Sequence, residues 1–273
     1  MQKQDKIQGI LGREPLSRDP NGALIFLEGD RKPSKTAGKG AFASAKNYCK
    51  RYGKLYGFLR GIFSPLYRCS GYRKALGGVL SRHGGDTAIL NLGCGPAKFQ
   101  GRDDIINVDI FSFDETDLVA DVKDLPVLDG SVDMLLGLSF LEHVDKPAEF
   151  VAEIERVLKP GGEAFLTCDF MYPFHAAPYD FQRLTREGLA ILFERFAEVE
   201  TGIASGPTGS LLLMFKEWLA TLASFGNRTV YDAVYVAVSI VTFPFKYLDI
   251  LLCRYPTAEI AASSYYVRVR KKA

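Results

Sequence analysis

The stretch Ile89-Leu-Asn-Leu-Gly-Cys-Gly-Pro96 decides the fold of this 273-residue chain. Its first four residues form a short, mostly apolar run, which is typical of a strand buried in a parallel sheet. Gly93 and Gly95 follow at once, and glycine lets the backbone pass against a ligand where a Cβ atom would collide. The stretch therefore predicts a strand that opens into a ligand-binding turn at its carboxyl end.

Similar short apolar runs recur along the chain and alternate with helical patterns. Strands are predicted at residues 88–92, 105–109, 117–120, 132–138, 163–168, 197–203 and 264–270. Helices are predicted at residues 146–158 and 185–196, where apolar residues return every three or four positions. Strands that alternate with helices build parallel βαβ units. We therefore predict an α/β fold with a doubly wound, mostly parallel seven-stranded sheet.

The glycine turn also restricts the ligand. A turn that binds a dinucleotide needs a third glycine three residues after Gly95, and Lys98 stands there, so NAD and FAD are disfavoured. Asp109 ends the next predicted strand, where a carboxylate can bind both hydroxyls of a ribose. Adenosine without a pyrophosphate is the ligand that remains. The alternative is an ordinary tight turn, with Asp109 capping its strand.

These residues belong to a set of six short motifs in the order of the predicted strands and helices. The motifs are Leu-Gly-Cys-Gly-Pro (92–96), Asn-Val-Asp (107–109), Ala-Asp-Val-Lys-Asp-Leu-Pro (120–126), Ser-Val-Asp-Met-Leu (131–135), Leu-Glu-His-Val (141–144) and Val-Leu-Lys-Pro-Gly-Gly-Glu-Ala-Phe-Leu (157–166). The chain from about residue 91 to 199 thereby resembles the class I S-adenosylmethionine-dependent methyltransferases, particularly the type 11-like group that methylates small molecules and lipids.

The resemblance implies an antiparallel last strand and a cofactor site for S-adenosylmethionine. It assigns the methionine part to Gly93, Cys94 and Gly95, and the ribose to Asp109 followed by Ile110. It places Asp121 and Val122 beside the adenine and Ser139 beside the sulfonium. The residues 86–200 carry 23 acidic and 9 basic groups, which suits a cationic sulfonium. No metal ligand set is predicted.

The acceptor side is predicted in the polar and aromatic loop at residues 171–183, which follows the fifth strand. His175 is the candidate general base, with Asp180 as a second catalytic residue, and Tyr179 and Arg183 are candidate acceptor contacts. The alternative is a rigid loop in which Asp180 pairs with Arg183 or caps the next helix. His143 is assigned a structural role, orienting the loop after the fourth strand.

Charge and cysteine content indicate the surroundings of the protein. Residues 31–85 carry 13 basic and no acidic groups, a bias that indicates an anionic neighbour: phospholipid, nucleic acid or the acidic core of the chain itself. Within them, a linker at 31–40 precedes two basic amphipathic helices. The five cysteines are scattered without a C-x-x-C pair, so neither a disulfide framework nor a structural zinc site is expected. No signal peptide or conventional membrane span is recognised, and a reducing cytoplasm is the predicted location.

An apolar insertion separates the sixth and seventh predicted strands. It holds two apolar segments, at residues 210–225 and 230–253, with Gly226 as a helix stop and Pro244 as a kink or break. The second segment carries a narrow polar stripe at helical spacing: Asp232, Tyr235, Ser239, Thr242, Lys246 and Asp249. Such a hairpin packs on its own domain or on a second copy of the chain, or it inserts into one face of a bilayer.

The predicted organisation has five parts: an N-terminal extension and linker (1–40), basic helices (41–85), the cofactor-binding core (86–206), the apolar insertion (207–262) and a final strand with a basic tail (263–273). We predict methyl transfer from S-adenosylmethionine, most simply to an oxygen of a small, lipid-linked or glycan acceptor at the inner membrane face. The alternatives are an RNA methyltransferase that uses the basic helices, and a protein that binds the cofactor without turnover, which Asn91 in place of a frequent carboxylate would permit.

Overall fold

The computed structural model describes residues 2–27, 64, 66–95, 99, 102–176 and 178–273. The predicted linker at 31–40 and the first predicted basic helix lie outside these residues. The second basic helix is present as Ser70–Arg82.

The described residues form one mixed sheet. Its strands are β1 (Ser17–Arg18), β2 (Leu24–Ile25), β3 (Ile89–Leu92), β4 (Ile106–Asp109), β5 (Leu118–Val119), β6 (Val132–Gly137), β7 (Leu158–Asp169), β8 (Glu198–Ser205) and β9 (Ser264–Arg270). The order across the sheet is β1-β2-β5-β4-β3-β6-β7-β9-β8. Strands β2 to β7 pair in parallel, whereas β9 is antiparallel to both β7 and β8. The predicted α/β class and the antiparallel last strand are confirmed.

Helices pack on both faces of this sheet and extend beyond it. They are α1 (Lys3–Ile10), α2 (Ser70–Arg82), α3 (Pro147–Val157), α4 (Arg186–Leu192), α5 (Pro207–Ser224), α6 (Arg228–Thr242) and α7 (Asp249–Leu252). Three 3₁₀ helices add Leu141–His143, Phe243–Leu248 and Pro256–Ala261. The two helices predicted inside the core thus correspond to α3 and α4.

The N-terminal segment differs from its prediction as an extension with little structure. Ile7 and Ile10 of α1 are buried in the main hydrophobic core, together with Leu24 and Phe26. Strand β2 pairs in parallel with β5 and so lengthens the sheet, with β1 beyond it at the edge. The sheet therefore has nine described strands where the sequence predicts seven. The two additional strands are two residues long, too short for an alternating pattern to reveal them.

The insertion folds as the predicted helical hairpin. Helix α5 ends where Phe225 and Gly226 both take left-handed backbone conformations, with φ of 46° and 81°. This confirms a helix stop at that point. Helix α6 then ends at Thr242, and a 3₁₀ helix with Pro244 in its first turn continues the chain. Proline lacks the amide hydrogen of an α-helical turn, which explains the break predicted there.

The cysteines correct one expectation. Cys69, just before α2, and Cys253, just after α7, form a disulfide, although no disulfide was predicted from their spacing. Their separation of 184 residues explains why no local motif marked the pair. Disulfides are rare in a reducing cytoplasm, so this pairing disfavours the predicted cytoplasmic location. The location itself stays a prediction.

Candidate active site

The glycine turn after β3 has the backbone geometry that its sequence predicts. Gly93 and Gly95 have φ of +64° and +60°, in the left-handed region that favours glycine. A Cβ atom on Gly93 would collide with the ring of Phe140, whereas the space beside Gly95 is open among the described residues. The Gly93 amide donates to the carbonyl of Val108 at 2.9 Å, which fixes the turn against β4. Gly95 therefore presents open backbone to a ligand, as a cofactor cradle requires.

Asp109 lies at the carboxyl end of β4 and faces this turn. Its Oδ2 accepts a hydrogen bond from the Gly95 amide at 2.9 Å, and its Oδ1 accepts one from the Phe111 amide at 3.0 Å. Burial raises the pKa of this carboxyl, and these amides oppose the effect. Asp109 thus shapes the turn as well as facing the predicted ribose position, and a carboxylate oxygen can accept a second hydrogen bond.

Cys94 is held between the two glycines without nucleophilic character. Burial and the neighbouring Asp109 raise the pKa of its thiol to about 12, so the thiol stays protonated at neutral pH. Its Sγ lies 4.0 Å from Asp109 Oδ2. The residue contributes packing and backbone to the turn.

The residues predicted around the adenine follow β4 and β5. Ile110 packs beside Val119 in a small cluster, and Val122 packs against the main core. Asp121 accepts a hydrogen bond from the Lys123 amide at 2.9 Å, which shapes the turn after β5. These side chains lie at the ends of adjacent strands, and their contacts with an adenine stay predictions.

Ser139 follows β6 in a conformation that non-glycine residues seldom adopt, with φ of 53°. Its amide donates to Thr167 Oγ1 at 2.5 Å, and its Oγ accepts from Arg68 at 3.1 Å. Arg68 also donates to the hydroxyls of Ser205 and Ser264, at 3.2 and 3.4 Å. Sequence reasoning missed Arg68, because nothing local separates it from the other basic residues of its stretch.

Four side chains meet beyond Ser139 and form what we call the acceptor-side cluster: Glu142, His143, Asp169 and His175. Glu142 comes from the 3₁₀ helix after β6, and Asp169 ends β7. Nε2 of each histidine lies 3.9 Å from Glu142 Oε1, and His175 Nε2 lies 3.6 Å from Asp169 Oδ2. Both carboxyl groups are buried, whereas the histidines are partly exposed. The predicted base His175 therefore belongs to a polar cluster whose other members come from outside its own loop.

Burial dominates the electrostatics of this cluster. It raises the pKa of Asp169 to about 8, with the charge of Glu142 adding to the effect and Arg68 opposing it. Burial also raises the pKa of Glu142. Burial and then His143 lower the pKa of His175, so this imidazole is neutral at pH 7. Two carboxyl groups so placed disfavour each other's ionisation.

The loop that carries His175 is fixed by an ion pair. Arg183 binds both carboxylate oxygens of Asp180, at 2.5 and 2.7 Å, which is the pairing considered above as the alternative to catalysis. Asp180 Oδ2 also accepts the His175 amide at 2.8 Å. The carbonyl of Tyr179 lies 2.5 Å from His143 Nδ1, in agreement with the orienting role predicted for His143. The catalytic and acceptor-binding roles of Asp180, Arg183 and Tyr179 stay predictions.

Comparison with known proteins places the central part of the chain. Residues 90–166 match a family model described as a methyltransferase domain. This stretch is therefore similar to a methyltransferase domain. The matched family uses S-adenosylmethionine, in agreement with the predicted enzyme class and cofactor.

Individual relatives match over shorter stretches or at low identity. An uncharacterized chloroplastic methyltransferase of Arabidopsis thaliana is 44% identical over 62 residues, which are 22% of this chain and 17% of that protein. A phosphoethanolamine N-methyltransferase 2 of Haemonchus contortus is 15% identical, with 84% of this chain and 60% of that chain covered and a TM-score of 0.45. A 1,6-didemethyltoxoflavin-N1-methyltransferase of Burkholderia thailandensis is 14% identical, with 88% and 94% covered and the same TM-score of 0.45.

Proposed function

We propose that the protein transfers the methyl group of S-adenosylmethionine to an oxygen atom of a small, lipid-linked or glycan acceptor at a membrane surface. The observation that carries this proposal is the position of the acceptor-side cluster. It lies beside Ser139, at the same sheet edge as the glycine turn, and it is approached by the apolar insertion. Cofactor, polar acceptor groups and an outward apolar surface thus belong to one side of the fold.

The chain's own residues bind and orient the two reactants. The glycine turn binds the methionine part, Asp109 faces the ribose, and Ser139 lies beside the sulfonium. The bound cofactor supplies a methyl group already activated for displacement. In the transfer, the bond from that methyl carbon to sulfur breaks while a bond to the acceptor oxygen forms, and the oxygen releases its proton toward the acceptor-side cluster. Alignment of reactants of this kind is worth up to about 7–11 kcal/mol in intramolecular reactions.

The insertion connects this site to the surface. The pKa of the Tyr172 phenol is raised first by burial, then by Asp169, and then by Tyr235 on α6. Tyr172 in turn stacks near His175, with ring centroids 4.7 Å apart. Helix α6 therefore lies near the acceptor loop.

The insertion presents apolar side chains to the outside. Trp218 and Leu222 on α5 are 59% and 58% exposed, Val241 on α6 is 70% exposed, and Phe225 between the helices is 96% exposed. Within the described part of the chain, Arg228–Leu252 is long and apolar enough to cross a membrane by length and composition, and 17% of its most apolar window is buried. An apolar surface of this kind favours contact with lipid or with another protein.

The polar stripe of α6 and its continuation faces the opposite way. Ser239, Thr242, Lys246 and Asp249 are buried against the rest of the fold, so the charged positions do not interrupt the outward apolar face. Lys246 donates to the carbonyl of Ser64, at 3.2 Å. A helix with polar groups inside and apolar groups outside is suited to an apolar environment, which supports a membrane-facing insertion.

Methyl transfer from labelled S-adenosylmethionine tests this proposal. We expect the purified protein to label a component of a cell lipid extract and to leave total RNA unlabelled, whereas Gly95→Leu, which fills the cofactor cradle, labels neither. Label in RNA would support the RNA methyltransferase instead. Cofactor binding without label in lipid, glycan, small-molecule or RNA fractions would support a binding protein and overturn the proposed activity.

A further inference from the structure

Glu142 is a buried carboxylate that its protein neighbours leave unsatisfied. The residue is fully buried, and neither carboxylate oxygen has a hydrogen-bond partner among the residues that the structure describes. A buried polar group without a partner is costly and calls for a physical explanation. A second buried carboxyl group, Asp169, lies in the same cluster.

Glu142 forms a possible metal ligand set with two histidines. Glu142 Oε1, His143 Nε2 and His175 Nε2 lie within 4.8 Å of one another. Each nitrogen is 3.9 Å from Glu142 Oε1, and Asp169 Oδ2 lies 3.6 Å from His175 Nε2. An ion with bonds of about 2.1 Å in tetrahedral geometry holds its ligand atoms about 3.4 Å apart. Closing the site on an ion would therefore shorten each Glu142–histidine distance by about 0.5 Å, and the widest separation, of up to 4.8 Å, by up to about 1.4 Å.

Both imidazoles direct a free lone pair into this space. His143 Nδ1 lies 2.5 Å from the carbonyl oxygen of Tyr179, which can only accept, so Nδ1 carries the hydrogen and Nε2 does not. His175 Nδ1 lies 3.4 Å from the carbonyl oxygen of Pro173 in the same arrangement. A histidine that donates its other ring nitrogen to a backbone carbonyl is the usual outer-shell pattern of a metal ligand.

We propose that Glu142, His143 and His175 bind a divalent transition-metal ion, with Asp169 as a fourth ligand. Two imidazole nitrogens with carboxylate oxygens suit Zn²⁺, Fe²⁺ or Mn²⁺, whereas Mg²⁺ and Ca²⁺ favour oxygen alone. The partial exposure of both histidines gives the ion a route from solvent. The four cysteines in the described residues take no part in this ligand set, and the sequence predicted no metal.

The site stands on this geometry, and only its role toward the acceptor rests on the proposed function. With the acceptor bound as proposed, an ion held here would bind an acceptor oxygen at a further coordination position, lower the pKa of its hydroxyl so that the proton is released to water, and hold the oxygen toward the methyl group. His175 would then act as a ligand in place of the predicted general base. Acceptors with a hydroxyl or carboxylate oxygen fit such an ion.

Metal titration of the full chain, after treatment with a chelator, tests the site. We expect Zn²⁺ to bind one equivalent by calorimetry and to raise the melting temperature, and Co²⁺ to give the visible absorption of a nitrogen and oxygen site without thiolate bands. Glu142→Gln and His175→Ala should each weaken Zn²⁺ binding at least tenfold. The matched control is His83→Gln, which changes the remaining histidine of the chain and should keep wild-type affinity.

Binding of S-adenosylmethionine to each chelator-treated variant shows that the variant is folded. This measurement also separates the test of the metal site from the test of the proposed function. Glu142→Gln removes a buried charge, so without metal it should be at least as stable as the wild type. The proposal is wrong if the wild type binds no stoichiometric Zn²⁺, or if both variants bind it as tightly as the wild type. In that outcome the two carboxyl groups retain a proton between them, and methyl transfer itself is unaffected.

Discussion

Gly95 and Asp109 are the single positions at which the cofactor site is most directly tested. A leucine at Gly95 would be strained at φ +60° and would fill the open cradle, so Gly95→Leu should abolish S-adenosylmethionine binding. Asp109→Ala should weaken it by about 1–3 kcal/mol, because the ribose hydroxyls and two amides lose their acceptor. Calorimetry measures both effects.

The control for these variants is Gly77→Ala on the face of α2, where an added Cβ meets nothing within 4 Å. It should bind the cofactor as the wild type does and show that small changes elsewhere are tolerated. Equal affinities for all four proteins would contradict the assignment of the glycine turn.

At the scale of elements, the attachment of the insertion depends on Asp249. Its buried carboxylate accepts the amides of Thr208 and Gly209 at 3.0 and 3.2 Å, and so caps the first turn of α5 from a distant part of the chain. Asp249→Ala should lower the free energy of unfolding by about 1–3 kcal/mol, since two buried amides lose their acceptor. Urea denaturation measures the change.

Asp232→Ala is the matched control for Asp249→Ala. Its carboxylate pairs with Arg228, which is mostly exposed, one helical turn away on α6. Exposed pairs of this kind contribute about 0.3–0.5 kcal/mol. Equal losses for the two variants would show that Asp249 does not anchor the hairpin.

At the scale of the whole molecule, Glu163 joins α2 to the sheet. Burial alone would raise its pKa, but hydrogen bonds from Arg268, His83 and Arg82 outweigh burial and lower the pKa to about 2. The charged form therefore contributes stability that is complete above the usual pKa of 4.5 and is lost as the pH falls toward 2. Glu163→Gln should be less stable at pH 7, by about 1–3 kcal/mol because the arginines are partly exposed.

Acid denaturation curves check the role of Glu163. The stability difference between wild type and Glu163→Gln should shrink between pH 4.5 and 2 and vanish below that range. A difference that stays constant with pH would mean that the variant disturbs packing and not the ion cluster.

The outward apolar face makes a prediction for the whole protein on membranes. Intact protein should float with anionic vesicles, and a paired Val241→Asp and Leu248→Asp variant should bind at least tenfold less, because it places charges on that face. Ile191→Asp on α4, which is similarly exposed but lies outside the apolar segments of the insertion, is the control and should float normally. Added salt should weaken the contribution of the basic residues and spare the apolar one.

A second copy of the chain is the competing partner for this face. If intact protein stays in the soluble fraction at low salt and elutes as a stable dimer that the paired aspartates dissociate, the insertion is a subunit interface and the membrane proposal is wrong.

Strands β3 to β9, helices α3 and α4 and the glycine turn could be predicted from the sequence alone, because each depends on neighbouring residues. Apolar runs in the sequence predict β3 to β9. The backbone at Gly93 and Gly95 is left-handed, a conformation that favours glycine, so the two glycines mark the turn in the sequence. The helix stop near Gly226 and the break near Pro244 were predictable for the same local reason.

Only the tertiary structure decided what depends on contacts between distant residues. It brought Glu142 and Asp169 together from the ends of two strands, placed Arg68 against Ser139, paired β2 with β5 and joined Cys69 to Cys253. It also turned the polar stripe of α6 inward, since periodicity defines two faces of a helix but not which one meets the core. Packing makes that choice, because buried polar groups must find partners that lie far along the chain.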